Sequence, residues 1–406
     1  MKSWKSNYAA LLIAEVLATI GFALSTPAIP LFLAEDIGVK DAQTLKLWVG
    51  IMASSYAIGL AVFAPIWGHL ADLYSRRAML LRAMFGGVAV NLLMAFVNAP
   101  WQLMALRVIS GCLFGTVTAA TILTVGITPA AHLGFALGIL QTGIAVGNAL
   151  GPLFGGVVSD FLGRRSAFMG TSLILAVSGL IVLKFVEDYK QAGEKREKRK
   201  LRLLPDIRPV IHSPLIISLL FVSFSIQAAN NTINPMLPLF IKDLLLRGID
   251  NTGEAAQYIG STTGLVLGIG AAATAIAAVL AGKFCAGFGY WRTIIFCLSL
   301  GAVLQIPQTM VTNVAQLTVF RALALFFIGG TVPVLQTLLA ASTEKKQQGI
   351  VFGLNSSISQ IGGAVGPMIG SAVAMLSYEA VFLATAALLG ICTFITIWRR
   401  RYAAQQ

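Results

Sequence analysis

Gly143–Gly156 reads GIAVGNALGPLFGG, with Gly143, Gly147, Gly151 and Gly155 recurring inside an otherwise apolar run. On a helix, residues four apart lie nearly above one another, so these glycines form one bare, slowly drifting stripe. Another helix can press its backbone against it. In lipid, two helices gain little by hiding apolar surface from each other, and close packing between small residues becomes a main source of association. Pro152, in the same run, removes a backbone hydrogen bond and favours a bend. A bent helix with a packing stripe suits a moving interface; taken alone, it also suits a static seam.

A second copy weighs against the static reading. Gly138, Gly151, Pro152 and Gly155 recur as Gly353, Gly366, Pro367 and Gly370 at one constant offset. Thr26-Pro-Ala-Ile-Pro-Leu-Phe-Leu33 returns as Asn234-Pro-Met-Leu-Pro-Leu-Phe-Ile241, and the ALRVISG stretch around Arg107 returns as VFRALAL around Arg321. One half has been written twice, the parallel-repeat pattern of some secondary transporters.

With 57% hydrophobic and 11% charged residues over 406 positions and a mean hydropathy of +0.82, the chain is too apolar for a soluble globular protein. It reads as an all-α polytopic membrane protein. Apolar runs long enough to span, about 20 residues each, place twelve helices near 8–33, 47–70, 78–97, 101–127, 134–157 and 167–186, then 213–241, 258–281, 292–311, 315–340, 349–373 and 380–398. This divides the chain into an N-terminal six-helix bundle (1–187), a linker (188–212) and a C-terminal six-helix bundle (213–406). The first apolar run is too long for a signal-peptide core and is expected to be retained as helix 1.

Of the 29 Lys and Arg residues, only Lys40, Lys46, Arg164, Arg165, Lys242 and Arg247 fall in the loops opposite the termini, while Arg107 and Arg321 fall inside spans. That bias predicts both termini on the cytoplasmic side. The net charge of +13 is then a topology signal rather than a sign of nucleic-acid binding. The basic run Lys195–Arg202 reads as a solvated linker, able to lie on anionic lipid. Cys112, Cys285, Cys297 and Cys392 suit neither a metal site nor a disulfide framework, and His69, His132 and His212 have no metal-ligand neighbours in sequence. No Walker loop, dinucleotide fingerprint or nucleophile elbow is present, which argues against an ATPase or another enzyme. No cofactor is expected.

Glu15 is the one acidic residue placed inside a predicted span. An ionised carboxylate there costs about 2.5–3.5 kcal/mol on insertion scales, so it either faces a cavity and carries its proton part of the time or lies shallow and hydrated near the cytoplasmic interface. The first alternative makes it the candidate site for a coupling proton. Arg107, always charged, demands a partner, water or substrate; anchoring by carbonyls is the plainer alternative. The two enter from opposite ends of their helices, so a shared cavity is expected rather than an ion pair. Gln227, Asn230, Asn231 and Asn234 crowd helix 7, with Gln336 and Asn355 among amides elsewhere. They are candidates for a substrate cavity that binds through amides and apolar surface, although each is equally able to serve as interhelical glue.

After helix 2 the chain reads Gly68-His-Leu-Ala-Asp72-Leu-Tyr-Ser-Arg76-Arg77. This loop resembles the G-x-x-x-D-x-x-G-R-R signature of the major facilitator superfamily, with Ser75 in place of the usual glycine and Leu73 in place of the common basic residue. Arg107 followed by Gly111 resembles that family's R-x-x-x-G signature, and the Gly143–Gly156 stretch, including Gly156, resembles the motif of its twelve-helix drug:proton antiporters. The resemblance covers nearly the whole chain. It implies two pseudo-symmetric six-helix bundles with substrate bound between them, in a bacterial cytoplasmic membrane. It also implies that Gly68, Asp72, Arg76 and Arg77 form a cytoplasmic latch, with Asp72 against the start of helix 11 near Gly349, and that Arg107 modulates nearby carboxylates. The second-half counterpart of the latch, Gly282–Arg292, lacks the acid. Because helices 5 and 8 meet between the halves in that family, the stripe Gly260, Gly264, Gly268 is expected to face the helix-5 glycines.

The expected function is export of small lipophilic or amphiphilic compounds by a monomeric carrier, with a proton as coupling ion. A lipid or lysolipid flippase of the same fold, an uptake carrier and a transport-dead interaction protein are the alternatives.

Overall fold

The computed structural model describes residues 4–73, 75–187, 213–246, 258–343 and 347–403. The expected linker at 188–212 lies outside them. Twelve helices follow in order: α1 Trp4–Asp36, α2 Ala42–Leu73, α3 Arg76–Met94, α4 Pro100–Ile127, α5 Leu133–Leu162, α6 Arg164–Phe185, α7 Pro214–Leu246, α8 Ile259–Phe288, α9 Tyr290–Thr309, α10 Val314–Ala341, α11 Gln348–Ala374 and α12 Tyr378–Ala403. Among the described residues, eleven helices are long and apolar enough to cross a membrane. The remaining one, α11, is diluted by Asn355, Ser356, Ser357, Ser359 and Gln360.

Local chemistry explains the ends and interruptions. Ser75, Ser213 and Asn313 accept from the amides of Ala78, Ile216 and Gln316, capping α3, α7 and α10, and Pro100 and Pro214 occupy first-turn positions where no amide is needed. The repeated proline motif interrupts α1 at 25–27 and α7 at 234–236, because Pro27 and Pro235 withhold an amide and crowd the preceding turn. α4 breaks without proline: helix stops at Leu113 and restarts at Thr116, with Gly115 at φ +144°, where a side chain would be strained.

Large apolar side chains such as Leu173, Val279 and Phe394 are exposed, whereas Asn7, Glu15, Gln305, Gln308 and Arg321 are buried. That is the arrangement of a chain whose outer solvent is lipid. In the first half α1 packs on α5 and α6, α3 on α6, and α2 on α4; in the second, α7 packs on α11 and α12, and α10 on α8 and α9. Two pairs make the main seams between the halves, α5 with α8 and α2 with α11, and α1 touches α7 beside them. The two seams are equivalent under the repeat, since α11 is the copy of α5 and α8 the copy of α2.

Candidate transport site between the two halves

The glycine-rich helix presents two small faces. Gly143 lies against Val16 and Leu12, Gly147 against Thr19, Gly151 against Ala23 and the carbonyl of Ile20, and Gly155 against the carbonyl of Leu24. All of these partners are on α1. The face toward α8 is instead made by Ala149, Pro152 and Gly156, which meet Gly268, Gly264 and Gly260 backbone to backbone. The expectation that the two four-spaced stripes face each other is therefore corrected. α5 and α8 do meet, and the α8 stripe is at the seam, but the 143/147/151/155 row docks inside its own half. Successive residues are about 100° apart on a helix, so Gly151 and Pro152 point to different neighbours. The repeat preserves the arrangement: Gly362, Gly366 and Gly370 of α11 press on the backbone of Phe224, Ala228 and Thr232 of α7, while Ser371 and the Pro367 carbonyl meet Gly50 of α2.

Polar links between the halves gather at the face opposite the termini. The Asp160 carboxylate, in the last turn of α5, accepts from the amides of Gly260 (2.9 Å) and Ser261 (2.6 Å) at the start of α8, meeting unsatisfied donors and the positive end of the helix dipole. Ser371 Oγ donates to the Lys46 carbonyl (2.6 Å), Lys46 Nζ donates to the Ala374 carbonyl (2.7 Å), and Lys242 pairs with Glu35 (2.7 Å), which also pairs with Arg164. Helices run longer than their apolar cores here, so Glu35 and Asp160, read as loop residues, lie within α1 and α5.

Toward the face bearing the termini, α2, α3, α4 and α11 enclose a cavity of about 210 Å³, lined among others by Trp67, Arg82, Phe114, Thr118, Ser356 and Gln360. The break in α4 builds it. Carbonyls left without helical partners at Cys112 and Leu113 accept from Trp67 Nε1 (2.6 Å) and Arg82 Nη2 (3.4 Å), and the Arg82 guanidinium lies 3.3 Å from the centre of the Trp67 ring. Its Nε and Nη1 are shielded from solvent and make no hydrogen bond. Sequence reasoning missed Arg82, counting it with the cytoplasmic charges although it falls inside the apolar run of helix 3; that position was the available signal.

Glu15 is fully buried and both carboxylate oxygens are without a hydrogen-bond partner. Its polar neighbour is Thr116, which stands between Gly115 and Val117 of the cavity wall. Arg107 stacks at 5.0 Å over the Tyr56 ring. Neither Glu15 nor Arg107 lines the cavity described above.

The expected amide cluster is dispersed as well. Asn234 accepts from Arg321 Nη2 (2.7 Å), and Asn231 donates back to the Gln227 carbonyl (3.0 Å) in its own helix. Asn230 Oδ1 and Asn355 Oδ1 are buried without partners, and Gln336 is half-buried. None of these six lines the cavity, which takes Ser356 and Gln360 of α11 instead; the proline break in α7 turns its amides to local backbone and to Arg321. Of the latch residues, Gly68 and Asp72 sit near the end of α2, and their side chains, like the contact expected near Gly349, lie outside the described residues. Arg77 donates to the Leu183 carbonyl of α6, and Arg76 reaches Gly126 of α4.

Two repeated six-helix halves, sealed together at one face and parted by a cavity toward the other, define a secondary membrane transporter. The Major Facilitator Superfamily profile matches residues 11–306 and 219–405. Multidrug resistance protein MdtG of Proteus mirabilis (strain HI4320) is 32% identical over 95% of this chain and 94% of its own length, and MdtG of Enterobacter lignolyticus (strain SCF1) is 34% identical over 95% and 90%. The fold is similar to that of the nucleoside transporter NupG in a single-residue variant, with a TM-score of 0.81, 12% identity and coverage of 96% of this chain and 98% of that one. The chain belongs to the Major Facilitator Superfamily, a family of transporters rather than enzymes.

Proposed function

We propose that the chain exports small lipophilic or amphiphilic compounds from the bacterial cytoplasm by proton antiport, with both termini inside. The observation that carries this reading is the buried Glu15 carboxyl, whose polar neighbour Thr116 is flanked in sequence by Gly115 and Val117 of the cavity wall. In that setting the charged form is expensive and the neutral form is tolerated, so the group changes protonation when movement of the halves changes its access to water. On this reading the described conformation is open to the cytoplasm and sealed outside. Rocking about the α5–α8 and α2–α11 seams would expose cavity and carboxyl to the opposite face. One proton moving inward supplies about 2.3 kcal/mol per 100 mV, enough to sustain export against a roughly fiftyfold gradient. The names of the relatives support the substrate class. Arg107, stacked on Tyr56, then acts by holding α4 against α2 rather than by touching Glu15.

The test is dye movement in energised vesicles of known orientation, read as uptake of a lipophilic dye by inverted vesicles or its efflux from right-side-out ones. Export that stops when a protonophore collapses the gradient supports the reading. Movement indifferent to the gradient contradicts it and favours passive carriage or lipid movement.

A further inference from the structure

Arg82 faces the cavity between the halves, and among the described residues no carboxylate pairs with it. The lining residues include no carboxylate. Several described arginines have a shielded, unbonded Nε, but among the described residues Arg82 is the one whose terminal Nη1 is also shielded and unbonded. Of the other arginines inside spans, Arg107 likewise stacks on a ring, that of Tyr56, but does not line the cavity, and Arg321 is held by Asn234. The Trp67 ring holds the guanidinium in position and is itself pinned by the Cys112 carbonyl. A ring face lowers the cost of the cation but supplies no counter-charge. A cation held this deep, about 9 Å along α3 from its first residue, is stabilised chiefly by an anion.

We propose that the cavity is a recognition site for lipophilic anions, in which Arg82 takes the oxyanion headgroup, a carboxylate or a phosphate, and the apolar walls take the body of the molecule. The proposal rests on the export reading and narrows its substrate class. About 210 Å³ accommodates a headgroup and its first few carbons, with the remainder of the molecule extending toward the open end. Leu60, Met79, Phe114 and Ile122 supply apolar wall, and Thr118, Ser356 and Gln360 supply further donors. Since Ser356 and Gln360 belong to the second half, a headgroup on Arg82 contacts both halves and would sense their movement.

The same chemistry is offered by a free lipophilic acid and by a lipid headgroup, and calorimetric binding to the purified full chain in neutral-lipid nanodiscs separates them. The probes are decanoate, lauroyl-lysophosphatidate and decyltrimethylammonium. The wild-type chain is expected to bind at least one anion more tightly than the cation; decanoate alone marks a free acid as ligand, and lysophosphatidate alone marks a lipid. Arg82→Gln is expected to weaken the anion by roughly ten- to hundredfold, and Arg82→Lys by less, with the cation unchanged in both. Preference for the cation in the wild-type chain, or anion affinity unchanged in both variants, overturns the proposal. Arg82→Lys keeps the charge, so a folding defect confined to Arg82→Gln does not spoil the comparison. Binding is read without any gradient. Failure of the anion site in a chain that still exports dye refutes the site alone, and Arg82-dependent binding without proton-coupled export refutes the antiport reading alone.

Discussion

Asp160 seals the face opposite the termini by accepting the amide of Gly260 at 2.9 Å, with a second bond from Ser261 at 2.6 Å. A carboxylate on the first amides of a helix contributes about 0.5–2 kcal/mol, and here that energy exists only while α5 touches α8. Asp160→Ala is therefore expected to move the conformational equilibrium toward opening of this face by roughly two- to thirtyfold. Pulsed-dipolar distances between labels on the α5 and α8 ends would report it. The exposed Glu35–Lys242 pair offers a contrast, because such surface pairs yield about 0–1 kcal/mol. Glu35→Gln should shift the same distances much less.

The two small faces of α5 make separable predictions. A Cβ on Gly264 would collide with the Pro152 carbonyl, whereas one on Gly147 would meet Thr19 inside the first half. Gly264→Ala is expected to hold α5 and α8 apart, biasing the chain away from the described conformation and lowering turnover with little loss of thermal stability. Gly147→Ala should instead lower the melting temperature and leave the inter-half distances alone. Both are read by pairing distance measurements with thermal unfolding in detergent.

Arg321 is 1% exposed and its Nη2 is held by Asn234 Oδ1. Losing a hydrogen bond to a charged group costs about 1.5–3 kcal/mol, and a buried cation leaves no easy substitute. Asn234→Ala should therefore lower the melting temperature. Asn234→Asp, which restores the acceptor and adds a counter-charge, should not.

Fold and site were unequally legible in sequence. The fold could be read because its evidence is covalent: the proline motif at Thr26 and its copy at Asn234 interrupt α1 and α7 alike, and the Gly151-Pro152 copy at Gly366-Pro367 lies in α11. The direction of each glycine was not legible, because a four-spaced row drifts around the helix and Gly156, one position outside it, is what meets Gly260. Even less legible was the cavity. It depends on the break in α4 at Phe114–Gly115, which has no proline to announce it, and on the two carbonyls that break leaves for Trp67 and Arg82. Glu15 was marked by composition alone, but its setting beside Thr116 depends on where α4 restarts.

Proton exchange through Glu15 carries the functional reading, and drug-driven proton release from acid-loaded proteoliposomes carrying an internal pH dye tests it most directly. A transported drug added outside is expected to accelerate lumenal alkalinisation, as protons leave in exchange for drug, and Glu15→Gln is expected to abolish this flux while the drug still binds. Full drug-dependent proton flux in Glu15→Gln would contradict that reading and leave the buried carboxyl without a role in transport.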